Sequence, residues 1–361
     1  MARIDAILKL VKDQGASDLH MTTGAPPIVR INGELMPIPY EELTREINEL
    51  LLFEIMDPDV RARYDATKGA DFSYEVPGVV RARCNVYEQS RGVAGAFRIL
   101  PNQILSLEQL GLPPHVTRLT ELARGLVLVT GPPGSGKSST LAAMVDHINL
   151  IQRKHILTIE DPIEYRHTNK NSLVSQREVG RNTPSFQHGL RGALREDPDV
   201  ILVGEMRDPE TMQLAITAAA TGQLVFATLH TMSAAQTVDR IIDSFEGEKQ
   251  SQIRLMVAES LKGVLAQRLL RRKDGRGRVL ALEILVANAA VASLVREKKT
   301  FQLGSVIQTG KREGMQTMDE SVLALLKGGV VTPEEAASHI SVRDLLPAAE
   351  RPAAPPNRMA A

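Results

Sequence analysis

GLVLVTGPPGSGKSSTLAAMVDHIN, residues 125–149, decides the fold. GLVLVT (125–130) is a short apolar run of strand character, and GPPGSGKS (131–138) matches G-x-x-x-x-G-K-[ST] between that strand and a following helix. Glycines let a backbone curl until its N–H groups face inward around phosphate oxygens. Lys137 adds a point charge for the outer phosphates, and Ser138 offers a hydroxyl to Mg²⁺. Nucleotide binding by a phosphate-cradling loop is the first expectation.

Working outward, the same rhythm repeats. ILTI (156–159), VILVG (200–204) and LVFATL (224–229) read as further strands. Between them, Thr183-Pro184 predicts a helix running to about Glu196, and Asp208-Pro209 predicts another that Gly222 closes. Alternating strands and helices imply an α/β domain with a parallel sheet covered on both faces. From Ser233 to Ile340 the pattern reads as mostly helical, and the Pro/Ala-rich tail, 347–361, as disordered.

N-terminal to this domain the pattern is different. Ile4, Ile7, Leu8 and Val11 have helical spacing, with Gly15 to end the helix, and Asn32-Gly33 between two apolar runs predicts a hairpin. LTREINELLLFEIM (43–56) predicts a helix capped by Thr44. VVRARCNVY (79–87) alternates strictly, with Val80, Ala82, Cys84 and Val86 on one face and Arg81, Arg83 and Asn85 on the other; GAFRIL brings Arg98. Residues 1–100 thus form a small α+β domain with a row of arginines on one sheet face. PNQILSLEQLGLPPHV (101–116), with three prolines, reads as a linker, and 117–346 as the nucleotide-binding domain.

Composition excludes several classes. The 361 residues are 43% hydrophobic, enough for two cores, and the formal net charge is +0. A neutral chain has no global field to hold a nucleic-acid backbone, and 3% aromatic content disfavours a single-strand groove. One cysteine, Cys84, rules out a disulfide within the chain and suits a reducing cytoplasm. MARIDAILKLVKDQ carries charge among its apolar positions and does not read as a signal peptide. The longest uncharged stretch, Thr211 to Val238, reads as helix, break and strand rather than a membrane span.

Hydrolysis needs an acid at a neighbouring strand end and a group to orient water. Two strand ends qualify: VILVGEMRD, delivering Glu205, and HILTIEDPIEYRH (155–167), delivering Glu160, Asp161 and Glu164. Glu205 is one carbon longer than the usual aspartate and would reach Mg²⁺ through a water. His230 emerges from the fourth strand at the same edge, either as a γ-phosphate or neighbouring-subunit sensor or as a structural residue. The arginine row is either solvated surface or a source of guanidinium for a developing phosphoryl charge.

Taken together, GASDLHMTTGAPPIVRINGEL, GPPGSGKSSTLAAMVDHIN, ILTIEDPIEYRH, DPDVILVGEMRD, TGQLVFATLHTMSAAQTVDRIID and IQTGKREGMQTMDESV occur in the order found in the type IV pilus retraction ATPases. The chain resembles this PilT-type branch of the secretion-ATPase superfamily up to about Leu346. The resemblance implies a hexameric ring of chains, each with a PAS-like N-terminal domain and a RecA-like ATPase domain, and ATP bound between the two. It implies nucleotide contacts at Gly131, Pro132, Pro133, Gly134, Ser135, Gly136, Lys137, Ser138 and Ser139, and metal handling by Ser138 and Glu205. It assigns Glu164 as catalytic glutamate, Glu205 as Walker B acid, Arg83 and Arg98 as arginine fingers, and His230 as the His-box histidine. ATP and Mg²⁺ are the implied cofactors. The implied partners are further copies of the chain, an integral-membrane pilus platform protein and paralogous pilus ATPases. The implied location is the cytoplasmic face of the inner membrane, held there through partners. Two departures stand out: Gln223 replaces a histidine of the usual TGH, and AVASLVRE (290–297) has Ala292 and Ser293 where the family's AIRNLIRE has arginine and asparagine. The rival readings are a pilus-assembly or type II secretion ATPase, a nucleic-acid translocase, and a ring subunit that binds nucleotide without turnover.

Overall fold

A computed structural model describes residues 2–31, 33–101 and 103–341, so Asn32 of the expected hairpin and the tail at 347–361 lie outside the described residues. The chain divides into two compact units. The first runs to Gln103 and also takes in Glu164–Arg166; the second holds Ile104–Ile163 and the chain from His167 onward.

In the first unit, helix Ile4–Asp13 buries Ile4, Ile7, Leu8 and Val11, the four apolar positions that share a face. Strands β1 (Asp18–Thr22), β2 (Ile28–Ile31), β3 (Glu34–Pro37), β4 (Gly69–Val76), β5 (Val80–Gln89) and β6 (Gly92–Leu100) form one antiparallel sheet in the order β3-β2-β1-β6-β5-β4. Helix Arg45–Phe53 starts at Thr44, whose hydroxyl accepts from Ile47 N–H. A third helix, Pro58–Thr67, has no counterpart in the sequence reading, although Asp57 caps it and Pro58 opens it in the expected way. Val80, Ala82, Cys84 and Val86 are buried on β5, but Arg81 is buried too, at 7% exposure. The arginine row is therefore shorter than expected: Arg81 sinks into the fold and Arg83 stays exposed.

The second unit starts earlier than the sequence suggested. Leu107, Leu112 and Val116, from the stretch read as a linker, are buried in its core, and Pro114–Thr120 is a helix. β7 (Gly125–Thr130), β8 (His155–Glu160), β9 (Leu173–Glu178), β10 (Val200–Val203), β11 (Leu224–Leu229), β12 (Leu261–Arg271) and β13 (Arg278–Val286) build a sheet ordered β13-β12-β7-β11-β10-β8-β9. Six strands run parallel and β13 is an antiparallel edge. Side chains alternate between two cores. Leu126, Leu128, Ile201 and Val203 pack with helices Pro209–Thr221, Ala234–Asp243 and Glu248–Ser260. Val127, Val129, Val200 and Leu202 pack with helix Lys137–Ile151. Strands buried on both faces read as continuous apolar runs, which is why β7, β10 and β11 were visible in the sequence.

Further expectations in this unit are corrected. β12 and β13 replace the mostly helical course expected after Ser233. Helix Glu248–Ser260 passes into β12 with no loop, Leu261 turning extended at ψ 130°, so no Gly or Pro marks the change. β9 was also unread, being a six-residue edge strand with little burial. The helix expected from Thr183 begins at Phe186, because Ser185 takes the cap by accepting from His188 N–H, and it ends at Ala193. Thr183, preceding a proline, instead bridges Val179. Among the described residues, no helix is long and apolar enough to cross a membrane.

Candidate active site

The P-loop leaves the carboxyl end of β7 and enters helix Lys137–Ile151. Gly131, Gly134 and Gly136 have φ of 139°, 77° and 89°, conformations that L side chains avoid. Gly136 begins the helix with no side-chain cap, which leaves the first-turn N–H groups to an anion.

Parallel pairing brings the other strand ends to the same edge. Val203 of β10 and Thr130 and Leu229 of β7 and β11 lie at adjacent termini, so Glu205 and His230 follow directly. Lys137 is buried, with Nζ 2.8 Å from Gly131 O, 3.1 Å from Pro132 O and 3.3 Å from His230 Nδ1. His230 Nε2 lies 2.9 Å from Glu205 Oε1, and Arg207 Nη2 lies 2.8 Å from Glu205 Oε2. An ammonium group only donates, so His230 Nδ1 accepts and Nε2–H donates to the carboxylate. Burial raises the Glu205 carboxyl's pKa, but the hydrogen bond and charge of Arg207, with the hydrogen bond from His230, outweigh it and hold the group below the usual carboxylate range. Glu205 is therefore ionised at neutral pH.

The other expected residues divide. Glu160 accepts from Thr158 Oγ1 at 2.7 Å and Gln176 Nε2 at 3.2 Å. Asp161 acts on Arg207 through its charge. Glu164 groups with the first unit, beside Arg166, whose Nη2 pairs with Glu75 Oε2 at 2.8 Å. Arg83 and Arg98, also in the first unit, are direct cross-strand partners on β5 and β6, and Arg98 Nε is 3.1 Å from Asp18 Oδ1. Two like charges face one another with one carboxylate beside them, an arrangement that favours a further anion.

Three contributors were missed by the sequence reading. Arg207 clamps Glu205; it stood in the quoted VILVGEMRD, and only the pairing reveals its role. Glu283 of β13 accepts from Ala234 N–H at 2.7 Å, holding the start of the helix that follows the His230 loop; burial pushes its carboxyl up. Gln267 of β12 donates to Ser135 O from below the P-loop. Neither strand was recognised, so no signal for Glu283 or Gln267 was available.

The donor set fits a phosphate-bound hard cation. Ser138 and Glu205 supply oxygen, and among the described residues no group of three His, Cys, Asp or Glu could hold a metal alone. Mg²⁺ is commonly held this way, by one or two protein oxygens with phosphates and water completing its shell. Gly134, where nothing lies within 4 Å of an added Cβ, and the orphaned, buried Ser135 Oγ fit the phosphates.

The sequence profile of the family described as type II/IV secretion system protein matches residues 2–338. The chain is 49% identical to the "Type IV pilus retractation ATPase PilT" of Pseudomonas aeruginosa, over 92% of this chain and 96% of that protein. It is 51% identical to the "Twitching motility protein" of Neisseria gonorrhoeae, over 92% of this chain and 89% of that protein. Among solved structures, "Crystal Structure of the Pilus Retraction Motor PilT and Bound ADP" superposes with a TM-score of 0.89 at 46% identity, covering 96% of this chain and 99% of that one.

Proposed function

The chain belongs to the type II/IV secretion system protein family, and we propose that it is an ATP-hydrolysing motor that powers type IV pilus retraction. The observation that carries the chemistry is the hydrogen-bonded chain Lys137–His230–Glu205–Arg207 behind a glycine loop at one sheet edge. The observation that carries the biology is the near full-length likeness to retraction and twitching proteins.

In this reading, residues 131–139 hold the nucleotide's phosphates, and Lys137 exchanges its P-loop carbonyls for phosphate oxygens. Ser138 and Glu205 would hold Mg²⁺, which would neutralise charge on the outer phosphates. Glu164 orients the attacking water. Arg83 and Arg98 supply guanidinium charge to the transition state, as suits two facing cations with a single carboxylate, Asp18, beside them. His230 links the loop's lysine to the Walker B glutamate, so it registers phosphate arriving at Lys137. Residues 1–100 form the PAS-like domain and the second unit the RecA-like domain of a homohexamer. Its partners are a cytoplasmic part of an integral-membrane platform protein and paralogous pilus ATPases, at the inner face of the inner membrane.

The test has two arms. Lys137→Ala should abolish magnesium-dependent phosphate release while the protein stays folded; retained turnover would remove the P-loop from the mechanism. A strain lacking the chain should carry excess, non-retracting surface pili, whereas absent pili would move the chain to assembly.

A further inference from the structure

Strand β12 lies beside β7, with Ala266 paired to Thr130, so the next residue, Gln267, sits directly under the P-loop. Its side chain is 1% exposed and its Nε2 lies 3.2 Å from Ser135 O. The strand meets the other end of the loop as well. A Cβ added at Gly131 would fall 2.4 Å from Gln267 O. At Gly136 an added Cβ would fall 3.7 Å from Gln267 Nε2, so the amide lies against the peptide linking Ser135 to Gly136.

That peptide is trans, so the Ser135 carbonyl and the Gly136 N–H point in opposite directions. Holding the carbonyl down towards β12 turns the N–H away from it, to the side where phosphate is expected. Glycine at 136 has φ of 89° and no side chain to restrict a flip of this peptide. Some other group must fix it, and the buried amide is in position to do so. Among the described residues, Gln267 Oε1 meets no donor and Ser135 Oγ no partner, so this single donated bond defines the contact.

We propose that Gln267 is a positioning residue for nucleotide binding: by donating to Ser135 O it sets the orientation of the Gly136 N–H in the phosphate cradle. This rests on the nucleotide reading of the P-loop. It gives β12, outside the nucleotide motifs, a direct hold on the loop that binds phosphate.

The test is titration with a fluorescent ADP across pH 5.5–8, each variant expressed relative to wild type at the same pH, with thermal melts to confirm folding. Gln267→Met keeps the length and loses the donor; affinity should fall about tenfold at every pH, the size expected when a buried carbonyl loses its partner. Gln267→Glu keeps the shape. Ionised, it presents an acceptor to an acceptor; protonated, it donates. Burial raises such a carboxyl, so its affinity relative to wild type should recover as pH falls, a signature that a filler of space would lack. A Met variant within twofold of wild type, or a Glu variant whose ratio does not move with pH, would overturn the proposal. Wild type that fails to bind ADP would remove the nucleotide reading and this inference with it; wild-type binding with unmoved variants would remove the inference alone.

Discussion

Replacing Gly131 by alanine tests whether the P-loop is built against β12. Gly131 has φ of 139°, and an added Cβ would lie 2.4 Å from Gln267 O and 2.7 Å from Ser135 Oγ. The backbone conformation alone costs an L residue on the order of 1–3 kcal/mol. Relieving the overlap adds about 1–3 kcal/mol, as other forced insertions into packed sites do. The relief has two routes. Either β12 backs away, which breaks its pairing with β7 at Ala266 and Thr130, or the loop swings out and carries off Gly131 O, an acceptor for Lys137. The first route appears as a lower melting point and the second as weaker nucleotide binding, where about 3 kcal/mol is roughly a hundredfold. Gly134→Ala is the matched control: its φ is 77°, yet nothing lies within 4 Å of the added Cβ. It should lose only about 1–2 kcal/mol of stability, the cost of a left-handed residue. Denaturant melts and ADP titrations of both variants measure the two routes. A Gly131→Ala protein with the wild-type melt and ADP affinity within threefold of wild type would refute the wedged arrangement.

Two further outcomes follow from particular side chains. The His167 side chain is 3% exposed, and burial lowers its pKa from 6.5 to about 4 despite Asp146 at 3.9 Å, with Lys170 adding to the lowering. The folded state therefore refuses a proton that the unfolded chain accepts. Its stability contribution is intact above pH 6.5 and is lost as pH falls towards 4, by about 3 kcal/mol in all. Urea melts of wild type and His167→Gln between pH 7.5 and 4.5 should show a shallower acid loss in the variant; parallel slopes would place His167 in contact with solvent. On the sheet of the first unit, Arg83→Ala removes one of two facing like charges, so the melt should stay within about 0.5 kcal/mol of wild type. If Arg83 serves the transition state, kcat should nevertheless fall roughly 10³-fold with ADP affinity little changed. An unaltered kcat would leave it as surface charge.

What could be read from the sequence follows the range over which each signal acts. The P-loop, the caps at Thr44 and Asp208 and the apolar runs of β7, β10 and β11 are set by residues within a few positions of one another. Helix Pro58–Thr67 carried equally local signals in Asp57 and Pro58, but its apolar face is thin, only Val60 and Tyr64 being buried, so periodicity offered nothing to support them. Arg81 lies on the polar face of a strictly alternating strand, and its burial is set by what packs over that face. β12 is the clearest failure of local reading. It continues a helix without a break, and its strand state is imposed by β7 on one side and β13 on the other.

The same distinction explains how a chain of zero net charge can bind a polyanion. Net charge governs long-range steering, whereas binding depends on the charges and N–H groups aimed at one point. In the described state the Lys137 charge already has partners in two loop carbonyls and His230, and Glu205 is held between His230 and Arg207. On the proposed nucleotide reading, phosphate oxygens reaching Lys137 would compete directly with His230 Nδ1. Because the other nitrogen of that ring is bound to Glu205, a change at the lysine would reach the carboxylate through one imidazole. The two loops that would report it are each held by the β12–β13 hairpin, the P-loop through Gln267 and the helix after His230 through Glu283. Ala266 pairs with Glu283 and Gln267 with Leu282, so the two holds arise from neighbouring rungs of one ladder. A shift of either loop therefore loads the same two strands, and the part of the chain whose fold was least legible in the sequence is the part that joins the two halves of the site.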